Sequence, residues 1–319
     1  MIARAACGVA LSLLLLGQAR AALPWWNTHR PVAQDSASAA AGRTPEAAAV
    51  QDSTSAAAGR MPEAAAAPAA APNPPTGTTT VRLRLERTPS RTLAWVDNPL
   101  PGPVEVRLQA LQLHGAIASP ALPVRRVVPA QGRMLLSTLI AADAQAGSEF
   151  RLDLDMVPGD PQARPAGVSY RLPFDAPVRV DQGPGGHFSH DDAENFDALD
   201  FALAEGTPVL AARAGVVLQV QAGFDRGGPQ REALGGRGNF VRVLHDDGSM
   251  ALYAHLAPDG VQVRQGQPVQ AGQRIGLSGN TGFSTAPHLH FVVQVNAGMR
   301  LVSVPVRLVG PLGELQLAH

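Results

Sequence analysis

The 319-residue chain contains no lysine, so all 26 of its basic Lys/Arg positions are arginine. That absence excludes a lysine nucleophile, a Schiff-base lysine and a phosphate-loop lysine. There is one cysteine, Cys7, and everything after it can form neither a disulfide nor a thiolate metal site. Neither charge sign is in excess, with 26 basic against 26 acidic residues. Nothing global therefore draws the chain to nucleic acid or to an anionic membrane surface. Aromatic residues are scarce, at 9 Phe, 3 Trp and 2 Tyr. Beyond the first 21 residues no apolar run approaches the roughly 20 residues that a membrane-crossing helix needs.

Glycine (32) and proline (28) are plentiful and divide the chain by texture. Residues 1–21 read as a secretory signal peptide: Arg4, an apolar core from Val9 to Leu16, and the small-x-small site Ala19-Arg20-Ala21. The expected product is exported, to a periplasmic or extracellular location, with no membrane span after cleavage. Residues 22–78 are rich in Ala and Pro and contain a 17-residue tandem repeat starting at Gln34 and again at Gln51. Neither copy has the large apolar groups needed to offset the entropy of ordering, so a disordered linker is expected.

Residues 79–174 change to period-two alternation. Thr80–Glu86, Pro103–Leu111 and Glu149–Met156 alternate as half-buried strands do, and turn clusters such as Asp97–Gly102 separate them. A small immunoglobulin-like β-sandwich is predicted, an accessory domain that could dock an envelope protein partner. Residues 175–319 concentrate histidine, with six of the nine between His187 and His290. Strands are predicted at Val209–Ala212, Gly215–Val220, Asn239–His245, Met250–Leu256 and His288–Val295, with Asp246–Ser249 as a hairpin turn. The expected fold class is mainly β throughout.

His288 and His290 stand two apart at the start of an apolar strand, so they project to one side while Leu289 turns to a core. By the same alternation His255 shares a face with Tyr253. Asp200 is set between Leu199 and Phe201, and a carboxylate in an apolar strand needs a partner or a metal. Asp191, Asp192 and Glu194 read as ordinary solvated loop charges. The glycines from Gly276 to Gly282 are expected either to let the backbone approach an extended peptide or to serve as turns.

Four segments together carry a resemblance. They are Asp200 to Val217, Tyr253-Ala254-His255-Leu256, Gly272 to Gly282, and Pro287-His288-Leu289-His290-Phe291. In this order they resemble the M23 (lysostaphin/LytM-type) zinc metallopeptidases, which cut peptide bridges in bacterial cell walls. The resemblance implies an antiparallel β-sheet peptidase domain of LytM type over residues 175–319. It implies a zinc ion held by His190, Asp200 and His290, with His255 and His288 as catalytic residues, and the peptide stems of peptidoglycan as substrate. The family's usual spacing puts three residues between the first His and the Asp. Here nine separate His190 from Asp200, Phe196 stands at the usual ligand position, and His187 is a rival first ligand.

Two imidazoles and one carboxylate leave a fourth tetrahedral position open, as in catalytic rather than structural zinc sites. His288 is assigned as base and His255 as oxyanion stabiliser, though the residue types alone leave the two interchangeable. The expected activity is that of a zinc-dependent endopeptidase acting on peptidoglycan crosslinks. The alternative is a catalytically inactive activator or scaffold of another cell-wall hydrolase, built on the same fold.

Overall fold

Alternating sequence becomes paired strands wherever one face can be buried, and two sheets between Arg82 and Pro158 show this directly. The computed structural model describes residues 80–143, 148–311 and 313–315, all within one compact unit. The expected signal peptide and the repeat-bearing linker lie outside the described residues. The first sheet contains β1 (Arg82–Arg87), β2 (Arg91–Asp97), β4 (Ala116–Ser119) and β6 (Arg133–Ala141), in the order β1-β2-β6-β4. The second contains β3 (Val104–His114), β5 (Val124–Val128) and β7 (Glu149–Pro158), in the order β5-β3-β7. All these pairings are antiparallel. Ala94, Val96 and Leu136 from one sheet meet Val106, Leu108 and Leu154 from the other in a single core. The Asp97–Gly102 turn is tied inward by buried Asn98, whose Nδ2 donates to the carbonyls of Gly102 and Pro129 at 3.0 and 2.8 Å.

This sandwich is not a free-standing body. Leu218, Met250 and Leu301 from the C-terminal half complete its core. Burying side chains of this size contributes about 1.5–3 kcal/mol each. Glu105, only 3% exposed, accepts from Arg125 Nε at 2.5 Å and from the Met299 amide at 2.6 Å, so polar contacts cross the seam as well. Conversely, Tyr170 and Phe174 pack into the C-terminal core, with Phe174 edge-on to Phe201. The boundary expected after residue 174 therefore falls inside a packed cluster.

The C-terminal region is built from short strands: β8 (Tyr170–Arg171), β9 (Val180–Gln182), β10 (Leu199–Phe201), β11 (Pro208–Leu210), β12 (Gly215–Gln221) and β13 (Gly227–Gly228). Helix α1 (Arg231–Leu234) follows, then β14 (Asn239–Leu244), β15 (Met250–Val261), β16 (Pro268–Val269), β17 (Arg274–Ser278), β18 (Gly282–Phe283) and β19 (Leu289–Asn296). The last elements are β20 (Leu301–Ser303), β21 (Leu308–Gly310) and β22 (Gly313–Glu314). The main sheet runs β16-β12-β14-β15-β19-β10-β9, with β11, β17 and β20 joined at its sides. The Asp246–Ser249 segment does turn β14 into β15, closed by the His245 amide donating to the Ser249 carbonyl at 2.9 Å. One face of this sheet presents Val241, Val243, Tyr253, Phe291 and Val293 to the larger core. The other face carries the polar cluster described next.

Candidate metal centre and active site

The register of the central strands brings the polar residues together. Asp200 pairs with His290 across β10 and β19, and His290 pairs with Ala254 across β19 and β15. Phe291 and Leu289 point to the larger core, so His290 points away from it. His290 Nδ1 lies 2.9 Å from Asp200 Oδ1, and His190 Nε2 lies 3.3 Å from the same oxygen. The ligand atoms of His190, Asp200 and His290 all fall within 4.8 Å of one another, and all three residues are buried. His187, the rival first ligand, is exposed, and so is Phe196.

Nine intervening residues reach this point by folding back. The Gly185 amide donates to the Phe196 carbonyl at 2.7 Å and closes the loop's base, and the His190 amide donates to the Gly186 carbonyl at 3.0 Å. His190 Nδ1 donates to the Gly183 carbonyl at 2.8 Å. Its Nε2 is buried, without a hydrogen-bond partner and 3.3 Å from a carboxylate oxygen. An imidazole nitrogen and a carboxylate oxygen placed so can share one cation. The donor set of two imidazoles and one carboxylate fits a divalent metal such as zinc. Burial opposes ionisation of Asp200, but its contacts with His190 and His290 outweigh it and hold the carboxyl well below the usual carboxylate range. Burial lowers His290, against the opposing pull of Asp200.

His255 reaches the cluster by breaking the alternation that had placed it beside Tyr253. Asn239 pairs with Leu256 and Phe240 with Ala254, so His255 is the extra residue of a bulge, at φ 60°. Tyr253 remains in the core, where its hydroxyl accepts from the Ala212 amide at 2.7 Å. His255 turns to the other side, 4.6 Å from the His288 ring and 5.8 Å from the His290 ring. A bulge can re-aim one side chain in this way, and strand periodicity does not foresee it. His255 Nδ1 donates to the Thr281 carbonyl at 2.7 Å. Burial first, then neighbouring His288 and His290, push this imidazole down to about 3, so the ring is neutral at pH 7. His288 precedes β19; its Nδ1 lies 2.8 Å from the Ala286 carbonyl and its Nε2 lies 3.8 Å from Asp200 Oδ1.

Several positioning groups gave no signal in the sequence. Gln182 donates to Asp200 Oδ2 at 3.1 Å and to Ser189 Oγ at 2.7 Å, linking a ligand to the loop that carries another. Asn239 and Thr281 tie down the bulge: the Asn239 amide donates to Thr281 Oγ1, and Thr281 Oγ1 donates to the Leu256 carbonyl. Asp192 and Glu194, expected to be solvated, are half-buried. Asp192 Oδ1 accepts from the Glu194 and Asn195 amides. Burial pushes the Glu194 carboxyl up to about 7, against the attraction of Arg242. Arg242 is itself buried and hydrogen-bonded to Gln219 and Gln294, and Gln294 Nε2 donates to the Glu194 carbonyl at 2.9 Å. The glycines near Gly279 serve internal packing: a Cβ there would lie 2.4 Å from the backbone of Ala257.

The family model described as peptidase family M23 matches residues 194–301, a stretch that begins just after His190 and contains Asp200, His255, His288 and His290. A peptidoglycan DD-endopeptidase of Vibrio cholerae, ShyA, is 44% identical over 30% of this chain and 19% of its own length. Lysostaphin of Staphylococcus simulans is 43% identical over 31% of this chain and 18% of its own. The solved catalytic domain of that antimicrobial peptidase is 35% identical, covering 41% of this chain and 80% of that one, with a TM-score of 0.26. The chain thus spans about a fifth of the length of the curated relatives it matches. The segment that carries Asp200, His255, His288 and His290 thus matches the model of peptidase family M23.

Proposed function

We propose that the chain is a zinc-dependent endopeptidase that cleaves the peptide crosslinks of bacterial peptidoglycan, outside the cytoplasmic membrane. The observation that carries this reading is the convergence of His190, Asp200 and His290 within 4.8 Å, with His255 and His288 against the same cluster. His190, Asp200 and His290 are the metal ligands in this proposal. When bound, zinc supplies Lewis acidity toward the scissile carbonyl and toward water.

The remaining chemistry belongs to the chain. His288 and His255 both engage Nδ1 with backbone carbonyls, so each presents an unprotonated Nε2. The less buried ring is that of His288, whose side chain is 14% exposed. It takes the proton from the attacking water and returns it to the leaving amine. His255 remains neutral and accepts a hydrogen bond that orients the water. This differs from the oxyanion role expected from residue types, because a neutral ring whose N–H is held by Thr281 has none left to donate. Asp200 stays ionised, held by Gln182.

The test is zinc content together with muropeptide analysis of cell-wall digests, for the wild-type chain and His290→Ala. The expected outcome is about one zinc per wild-type chain and loss of crosslinked muropeptides, with neither seen for His290→Ala. A wild-type chain that binds no zinc and leaves crosslinks intact, yet stimulates a second hydrolase, would establish the activator reading instead.

A further inference from the structure

Three segments, two of which neighbour His190 and His288 in the chain, meet one another and leave one aromatic residue half exposed. Phe188 lies two residues before His190, on the loop closed by Gly185 and Phe196. Phe283 lies in β18, five residues before His288. Their rings stack with centroids 4.9 Å apart and an interplanar angle of 15°. Arg231, from the segment between β12 and β14, braces both. Its Nη2 donates to the Phe188 carbonyl at 2.7 Å, its guanidinium lies 5.0 Å from the Phe283 ring centroid, and its Nη1 is 3.7 Å from Asp191.

The brace has a rigid base. β13 and β18 pair in parallel, Gly227 opposite Gly282 and Gly228 opposite Phe283. A Cβ on Gly227 would lie 1.6 Å from the Asn280 carbonyl oxygen, so only glycine permits this approach. The Ser284 amide donates to the Gly228 carbonyl at 3.0 Å and completes the seam.

One side of Phe188 is covered by Phe283, and 47% of the residue is nonetheless exposed. Phe196, in the same loop, is 55% exposed. Among the described residues these are the only aromatic side chains in the exposed class, and both flank a candidate metal ligand. Exposed aromatic surface held in place by a cation and a second ring is available for stacking at little further entropic cost.

We infer that Phe188, braced by Phe283 and Arg231, is a subsite for a pyranose ring of the glycan strand. The inference rests on the proposed action on peptidoglycan. Within that polymer the peptide stems carry small, acidic or amino side chains, none of which offers a flat apolar face. The sugar rings do, through their axial C–H groups. With a crosslink seated at His288, a sugar of the attached strand held on Phe188 would make the enzyme favour crosslinked peptides that still bear glycan.

The experiment uses the full chain and two measurements. The first is calorimetric binding of peptide-free glycan oligomers, which needs no turnover. The wild-type chain is expected to bind them, Phe188→Ala to bind about 3–10-fold more weakly, and Phe188→Trp to recover binding, the range expected for one aromatic contact. The second is the ratio of kcat/KM for glycan-bearing crosslinked dimers to that for the same peptide dimer without sugar. That ratio should fall by a similar factor in Phe188→Ala, through KM, while zinc content shows whether the neighbouring ligand is disturbed. Absence of glycan binding by the wild type, or an unchanged ratio in Phe188→Ala, overturns the inference. Glycan binding that depends on Phe188 without cleavage of either dimer supports the platform and defeats the endopeptidase reading.

Discussion

The two faces of β19 differ by one residue in register and by most of their physical chemistry. Leu289, Phe291 and Val293 enter a core of some twenty buried apolar side chains, where burial without polar atoms is stabilising. His290, Val292 and Gln294 face the other way, toward Asp200, Leu252 and Arg242. There, buried imidazoles, a carboxylate and a guanidinium must each find a partner, because an unpaired buried charge costs several kcal/mol. One face holds the sheet together, so the other can carry a layer of polar groups as long as each keeps its partner.

Neighbouring substitutions on β19 give the sharpest test of that contrast. His290→Ala should reduce zinc content to background and abolish crosslink cleavage, while the metal-free chain stays folded with a lowered denaturation midpoint, because Asp200 loses its partner at 2.9 Å. Unfolding of His290→Ala would break the comparison, since it would make the polar face structural. Next in size, His288→Ala and His255→Ala should retain zinc and lose roughly 10²–10⁴-fold in kcat, the range of general acid–base contributions. Metal analysis with steady-state kinetics checks both. Phe291→Ala, one residue from His290, should lower unfolding stability by about 3–5 kcal/mol in chemical denaturation. The fraction that remains folded should bind zinc at full stoichiometry.

The smallest effect concerns Glu194. Its carboxyl is raised from 4.5 to about 7 on folding, so the folded chain binds a proton more tightly than the unfolded chain. The contribution of Glu194 to stability is therefore neutral below pH 4.5, becomes unfavourable as pH rises to about 7, and is constant above that. Glu194→Gln removes this dependence. The midpoint difference between Glu194→Gln and wild type should grow in the variant's favour across that window, as thermal denaturation at a series of pH values would show. An unchanged difference would mean that Arg242 holds Glu194 ionised throughout.

Much of the architecture is legible in the residue pattern because it follows local rules. Val104–His114 and Glu149–Pro158 alternate and pair, and Asp246–Ser249 turns one strand into the next. Asp200 in an apolar strand and the His288/His290 pair announce a polar cluster, and the structure brings both beside His190. The differences from the sequence expectation share a physical origin. Period two pairs His255 with Tyr253 but allows no bulge, and polar neighbours in sequence make Glu194 read as solvated although distant residues cover it.

By itself the sequence determined the β character, the order of the strands and the chemical types available for a metal site. Those properties depend on neighbours within a few residues, where periodicity and turn chemistry act. Only the tertiary structure decided that His190 and not His187 faces Asp200, that His255 leaves the core side, and that Leu218, Met250 and Leu301 complete the sandwich core. Each of these depends on contacts between residues tens of positions apart. Such contacts are chosen by the packing of whole sheets, and no short window of sequence contains both partners.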